Sequence, residues 1–176
     1  MGILSAIIHR GVTTEVLELL ESQHKEVDEL FAKLESGTGK RSALVHELAN
    51  KLAAHATVEE KVFYPAVMAK ATKDMLFESV EEHLAIKRVL ADLTQMNLDD
   101  DSFRAKISVL KEQVTHHAHR EEEKKLFPLV KTLLSFEARV ALGNEVLVMF
   151  EELMAKDPSR NLPSETAKAA SLPSAS

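Results

Sequence analysis

Cysteine is absent from all 176 residues of the chain. That excludes disulfides, thiolate metal sites, iron–sulfur ligation and cysteine nucleophiles, and it suits a reducing compartment. Glycine and proline number only five each, and the β-branched alternation of strands is missing. No apolar run approaches the roughly 20 residues of a membrane span. The opening MGILSAIIHRG lacks a basic stretch and a long enough apolar run for a secretory signal. Ala6 stands where a myristoylation signal wants Ser or Thr. Positive charge is also short: the formal net charge of −6 disfavours nucleic acid or an anionic membrane as partner. Together these absences predict a cytoplasmic helical protein, long enough to bury a core as one domain.

What is present is helical periodicity. Leu20, His24, Val27, Phe31 and Leu34 form one stripe of a helix capped by Thr13 or Thr14. The glycines of ESGTGK (35–40) end it, and a second helix is expected from Ser42 through Ala71, kinked or restarted at Pro65. A third runs from a cap at Asp74 to about Met96, and a fourth from Phe103 to Leu134, with Pro128 near its end. Ser135 caps a fifth, striped by Phe136, Val140, Leu147, Phe150 and Leu153. The expected architecture is all-α: an up-down-up-down four-helix bundle over 14–134, preceded by an apolar segment (1–13). An extra C-terminal helix (135–156) is expected to pack on the bundle or a partner. The Ser-, Pro- and Ala-rich residues 157–176 have little to bury, and are expected to be disordered.

The first and second pairs of helices look like copies of one hairpin. HKEVDELFAKL (24–34) lines up with HLAIKRVLADL (83–93), and HATVEEKVF (55–63) with HREEEKKLF (119–127). Residues four apart on an α-helix share a face, so His55 points with Glu59 and His119 with Glu123. His24 and His83 sit on the core stripes of their own helices. Four imidazoles and two carboxylates would then meet inside the bundle, and ionised groups buried there cost several kcal/mol unless paired. A cation resolves the cost, and imidazole with carboxylate suits iron, manganese or zinc. Six side chains overfill one structural zinc site; two ions bridged by the glutamates fit better and leave a position open for a small oxidant.

This order of motifs, His, His-x-x-x-Glu, His, His-x-x-x-Glu, resembles the hemerythrin-like (HHE cation-binding) domain family across residues 14–134. The resemblance implies a bundle around a non-haem centre of two iron ions, oxo- or hydroxo-bridged and cycling between Fe2+ and Fe3+. It implies His24, His55, Glu59, His83, His119 and Glu123 as ligands, with Glu59 and Glu123 bridging. Two departures count against the oxygen-carrier form. Lys87 stands where those proteins have a fifth histidine, and their helix-4 carboxylate is an aspartate five residues after its histidine, not four.

Other residues have plainer readings. His9, His46 and His117 are expected outside the site, His117 facing solvent. His116, three residues before His119, is either a fifth histidine ligand or a hydrogen-bond donor to Glu123 or His119. Glu60, Glu121 and Glu122 are expected on a solvated surface, Phe63 and Phe127 in the core, and Tyr64 between segments. A ferritin-like site would need Glu-x-x-His on two helices, and only ESQH (21–24) fits. The expected function is binding of dioxygen, peroxide or nitric oxide for sensing, storage or detoxification, by a monomer or homodimer. Catalase-like peroxide dismutation, nitric oxide reduction and iron buffering are the alternatives.

Overall fold

The computed structural model describes residues 14–175; the apolar segment 1–13 lies outside the described residues. Helix α1 spans Val16–Ser36 and α2 Arg41–Val58. After α2 the chain passes through a π-helical stretch, Glu59–Phe63, into the short α3, Tyr64–Val67. Helix α4 covers Lys73–Gln95, and α5 covers Phe103–Thr115, running through a longer π-helical stretch, His116–Leu126, into α6, Phe127–Leu133. Helix α7 (Phe136–Met154) and a 3-10 helix (Pro158–Glu165) follow. Short connections join α1 to α2, α3 to α4 and α4 to α5, as the hairpins of a four-helix bundle require.

Glu15, not a threonine, caps α1: its carboxylate accepts from the N–H groups of Leu17 and Glu18 and from Arg139 Nε. Gly37 ends α1 with φ of 71°, a left-handed conformation that costs glycine little.

A proline follows each of the two π-helical stretches. Pro65 and Pro128 have no N–H to donate, and each α-helical ladder is interrupted there. Just before each proline a wider bond closes instead, Tyr64 N–H to the Glu59 carbonyl and Phe127 N–H to the Glu122 carbonyl. Both bonds span five residues, the signature of a π turn, which spends one residue more per turn than an α turn. Sequence arithmetic at 3.6 residues per turn therefore slips inside these stretches.

The apolar interior is split in two. One part gathers Val27, Phe31, Leu48, Leu90, Phe103 and Leu110; the other gathers Leu17, Leu20, Phe63, Leu76, Phe127 and Val146. Between them lies a layer of buried histidines and glutamates.

Helix α7 buries Leu142, Gly143 and Val146, so its inward face differs from the expected stripe; Phe136 is 53% exposed. Gly143 is where α7 meets the start of α1. A Cβ there would fall on the carbonyl oxygen of Thr14 and 2.9 Å from Val16 N. Backbone cannot retreat as a flexible side chain can, so Gly143→Ala is expected to cost about 2 kcal/mol of stability in urea unfolding.

The tail expected to be disordered is ordered and packed. Leu162 of the 3-10 helix is fully buried in the first apolar part, and Asn50 of α2 bonds to Asp157 and Ser159. Composition alone underestimated what one leucine, two prolines and a buried amide hold in place. No described helix is long and apolar enough to cross a membrane.

Candidate metal centre

Four ring nitrogens meet in the polar layer. His24 Nε2 lies 3.1 Å from His55 Nε2, and His83 Nε2 lies 2.9 Å from His117 Nε2. Two carboxylates, both fully buried, lie between these pairs. Glu59 places Oε1 3.2 Å from His55 Nε2 and Oε2 3.1 Å from His83 Nε2. Glu122 Oε2 is 3.3 Å from His24 Nε2 and 3.6 Å from His117 Nε2. Each carboxylate thus reaches both pairs.

His24, His55, Glu59 and His83 stand where their stripes predict. His119 and Glu123 do not join them; His117 and Glu122 stand in their place. His117 is 3% exposed, whereas the His119 side chain is 30% exposed. The cause is the long π-helical stretch, where residues five apart, not four, share a face. Aligning the halves on Pro65 and Pro128 reveals it, because EEKVFYP then matches EEKKLFP from Glu122 onward. Glu59 and Glu122 become equivalent, and so do Glu60 and Glu123. The extra residue between His117 and Glu122 is absorbed by the wide turn.

The outer nitrogens repeat the symmetry. Gln23 Oε1 accepts from His55 Nδ1 at 2.7 Å, and Glu82 Oε2 from His117 Nδ1 at 2.7 Å. Glu123 accepts from His24 Nδ1 at 2.7 Å, and Glu60 from His83 Nδ1 at 3.0 Å. Glu60 and Glu123, whose expected places were a solvated surface and the ligand set, therefore both orient histidines. His119 bonds Glu123 at 2.9 Å and Asp28 at 2.9 Å, steadying the Glu123 carboxylate from the rim. His116 is neither ligand nor donor to Glu123 or His119: its side chain is 47% exposed and reaches Glu82 at 3.2 Å.

Tyr64, expected between segments, is fully buried at the centre. Its hydroxyl donates to Glu122 Oε1 at 2.9 Å and lies 3.3 Å from Glu59 Oε2. The ring stacks on His83 at 5.6 Å, as Phe127 in the other half stacks on His24 at 6.2 Å. That hydroxyl breaks the near-symmetry of the halves.

The donor set fits a cation. With Nδ1 occupied as a donor to a carboxylate or, at His55, to the Gln23 amide oxygen, a neutral ring turns the lone pair of Nε2 inward. Two such lone pairs at about 3 Å repel unless a proton or a metal lies between them. Burial works against a charged His24, yet Glu122 and Glu123 outweigh it and raise the imidazole to about 9. Burial and the neighbouring His117 charge likewise oppose ionisation of His83, but Glu59 and Glu60 raise it. His117, also opposed by burial, is raised well above its usual range by Glu122, Glu59 and Glu82. Burial would lift Glu59, but His55, His117 and His83 hold it well below the carboxylate range. Glu59 Oε1 and Glu122 Oε2 are buried without a hydrogen-bond partner, which suits oxygen atoms meant for metal. His24, His55, Glu59 and Glu122 can hold one ion, Glu59, His83 and His117 form an adjoining group, and His24, His119 and Glu123 form a third, less buried one at the rim.

Beside the histidines is a cavity of about 20 Å³, walled by Val27, Leu52, Ala56, Ile86, Val114 and Ala118. It has room for about one water-sized molecule.

The sequence profile of the hemerythrin HHE cation binding domain matches residues 15–130. A DNA nickase of Nostoc sp. (strain PCC 7120) is 26% identical over 124 residues, 69% of this chain and 35% of that protein. The chain thus spans about a third of the length of this curated relative. The crystal structure of a hemerythrin HHE cation binding domain-containing protein from Mycobacterium kansasii superposes with a TM-score of 0.71 at 21% identity. That match covers 86% of this chain and 94% of the other, a likeness of fold.

Proposed function

The chain belongs to the hemerythrin HHE cation-binding domain family, and from that premise we propose a non-haem di-iron protein that binds dioxygen or a related small oxidant. One observation carries the reading: four inward Nε2 atoms meet two buried carboxylates whose free oxygens have no other partner. In this reading His24 and His55 would hold one ion, His83 and His117 the other, and Glu59 and Glu122 would bridge. With no thiolate in the chain, the imidazole and carboxylate donors suit iron, and the family resemblance favours it over manganese. When bound, the iron pair supplies electrons and an open position for the oxidant.

The chain's own groups do the rest. Gln23, Glu60, Glu82 and Glu123 fix the ring planes through Nδ1. The 20 Å³ cavity, apolar-walled beside the histidines, has a size that favours a ligand of very few atoms, such as dioxygen, peroxide or nitric oxide. The Tyr64 hydroxyl places its proton beside the centre, donating to Glu122 Oε1 at 2.9 Å, and in the metal-free chain burial, then Glu122 and Glu59, push the phenol well above its ordinary range. That proton favours a second reading, turnover of hydrogen peroxide, over passive iron buffering. A role on DNA, which the name of the Nostoc relative raises, gains nothing from a net charge of −6.

Iron content per chain together with a visible spectrum tests the proposal. Two irons per chain and an absorption band characteristic of a bridged pair are expected. Ala56→Leu should fill the cavity, leave the iron content unchanged and slow azide binding to the centre by about tenfold or more. Purified protein without transition metal, or azide binding indifferent to Ala56→Leu, overturns it.

A further inference from the structure

The ordered C-terminal segment reaches toward the polar layer through one buried lysine. Asp157 turns the chain with a φ of 55° and accepts from Asn50 at 2.7 Å. Leu162 is buried between α2 and α4, and Arg88 Nε donates to the Thr166 carbonyl at 3.0 Å. Ala169, Ala170 and Leu172 rest on the second apolar part. The segment is therefore a strap over the α2–α4 seam, fastened at several points along its length.

Between the strap and the centre stands Lys87, a buried lysine four residues after His83. Its Nζ lies 2.9 and 2.8 Å from the two Glu60 oxygens and 3.3 Å from Glu165 of the strap. Glu60 in turn accepts from His83 Nδ1 at 3.0 Å. An unbroken ionic path thus joins strap to histidine. The other half is built differently: Glu123, the counterpart of Glu60, is steadied by His119 and Asp28 from the bundle itself. The strap bears on one half of the centre.

We propose that the C-terminal strap is a positioning element for the His83–His117 half, acting through Glu165, Lys87 and Glu60. Docked, it holds Lys87 against Glu60 and so fixes the plane of the His83 ring; released, it loosens that half and leaves the His24–His55 half in place. Lys87, Glu60 and Glu165 are positioning residues, since none of them aims an atom at the cations. A segment held by one buried leucine, a few hydrogen bonds, partly buried apolar contacts and ion pairs can open locally without unfolding the bundle.

The proposal rests on the reading that the layer holds cations, so its test has one arm without metal. In the metal-free full-length chain, imidazole 15N resonances report each ring, and exchange of the His83 Nδ1 proton with water reports its bond to Glu60. Glu165→Gln cuts the path while leaving the strap docked; Leu162→Asp lifts the strap, which trypsin cleavage after Arg160 and Lys168 would reveal. Both variants should speed the His83 proton exchange several-fold and leave His24 unmoved. In the iron-loaded chain, a chelator should extract half of the metal on the order of tenfold faster from Leu162→Asp and the other half at the wild-type rate. A strap that trypsin shows to be free, with His83 unchanged, overturns the proposal, as does equal loosening of both halves. If the chain binds no metal, the functional reading fails, yet the His83 exchange still decides the positioning role.

Discussion

His117→Leu should strip the His83–His117 half of its metal, whereas His119→Leu should leave the full complement bound. His117 Nε2 lies 2.9 Å from His83 Nε2, at the middle of the buried layer, and leucine replaces it with a methyl that cannot ligate. Loss of an outer hydrogen-bond partner alone typically costs about 10–100-fold in metal affinity, so loss of the ligand itself should cost more. His119 hydrogen-bonds Glu123 and Asp28, both on the rim, and meets the His24 ring edge-on at 6.0 Å, so its removal should weaken His24 by a few-fold at most. Metal content per chain after gel filtration measures both. The reverse result, metal lost with His119 and kept without His117, would restore the four-residue spacing and refute the register drawn from the π-helical stretch.

Metal removal should reverse the pH dependence of stability. In the metal-free fold His24 titrates at about 9, above its ordinary 6.5. Its contribution is therefore complete below pH 6.5 and is lost as pH rises through 9, and the raised His83 and His117 act in the same direction. The depressed Glu59, Glu60, Glu82 and Glu123 contribute stability above their ordinary 4.5, and lose it as pH falls through their lower folded values. The metal-free chain should thus be most stable between about pH 5 and 6.5. The loaded chain has exchanged those protons for metal, and should be most stable at pH 8–9, losing metal in acid. At pH 9, with metal about a thousandfold above its dissociation constant, the difference in Tm should be roughly 10 °C. Thermal unfolding with and without chelator across this range measures it. Parallel curves would show that the layer does not exchange protons for metal.

Much of this was legible in the amino acids. Apolar stripes with one histidine per helix predict a bundle, and they place His24, His55, Glu59 and His83 on inward faces. The fourth helix departs from its expected register for one physical reason: a straight α-helix does not continue across HHAHREEE, where three histidines and three glutamates offer several registers. Proline was the available signal. Both prolines sit six residues after the buried carboxylate and so mark its register, but the ten residues from His55 to Pro65, counted back from Pro128, land on Ala118, which cannot ligate; the histidine, at His117, lies one residue further back. Glu60, Glu82 and Tyr64 escaped because a buried charge or hydroxyl is affordable only beside partners that sequence does not display. The strap escaped because a low-complexity composition conceals a single leucine with somewhere to go.

The slack in the π-helical stretch has a consequence for how such chains are compared. One residue more or fewer between the histidine and the glutamate leaves both flanking helices undisturbed, while the identity of the donor atoms changes. A gapless template laid over this chain would overlay the scaffold correctly and nominate the wrong side chains, so an indel at this point should be read as a relabelling of donors rather than as decay of the motif.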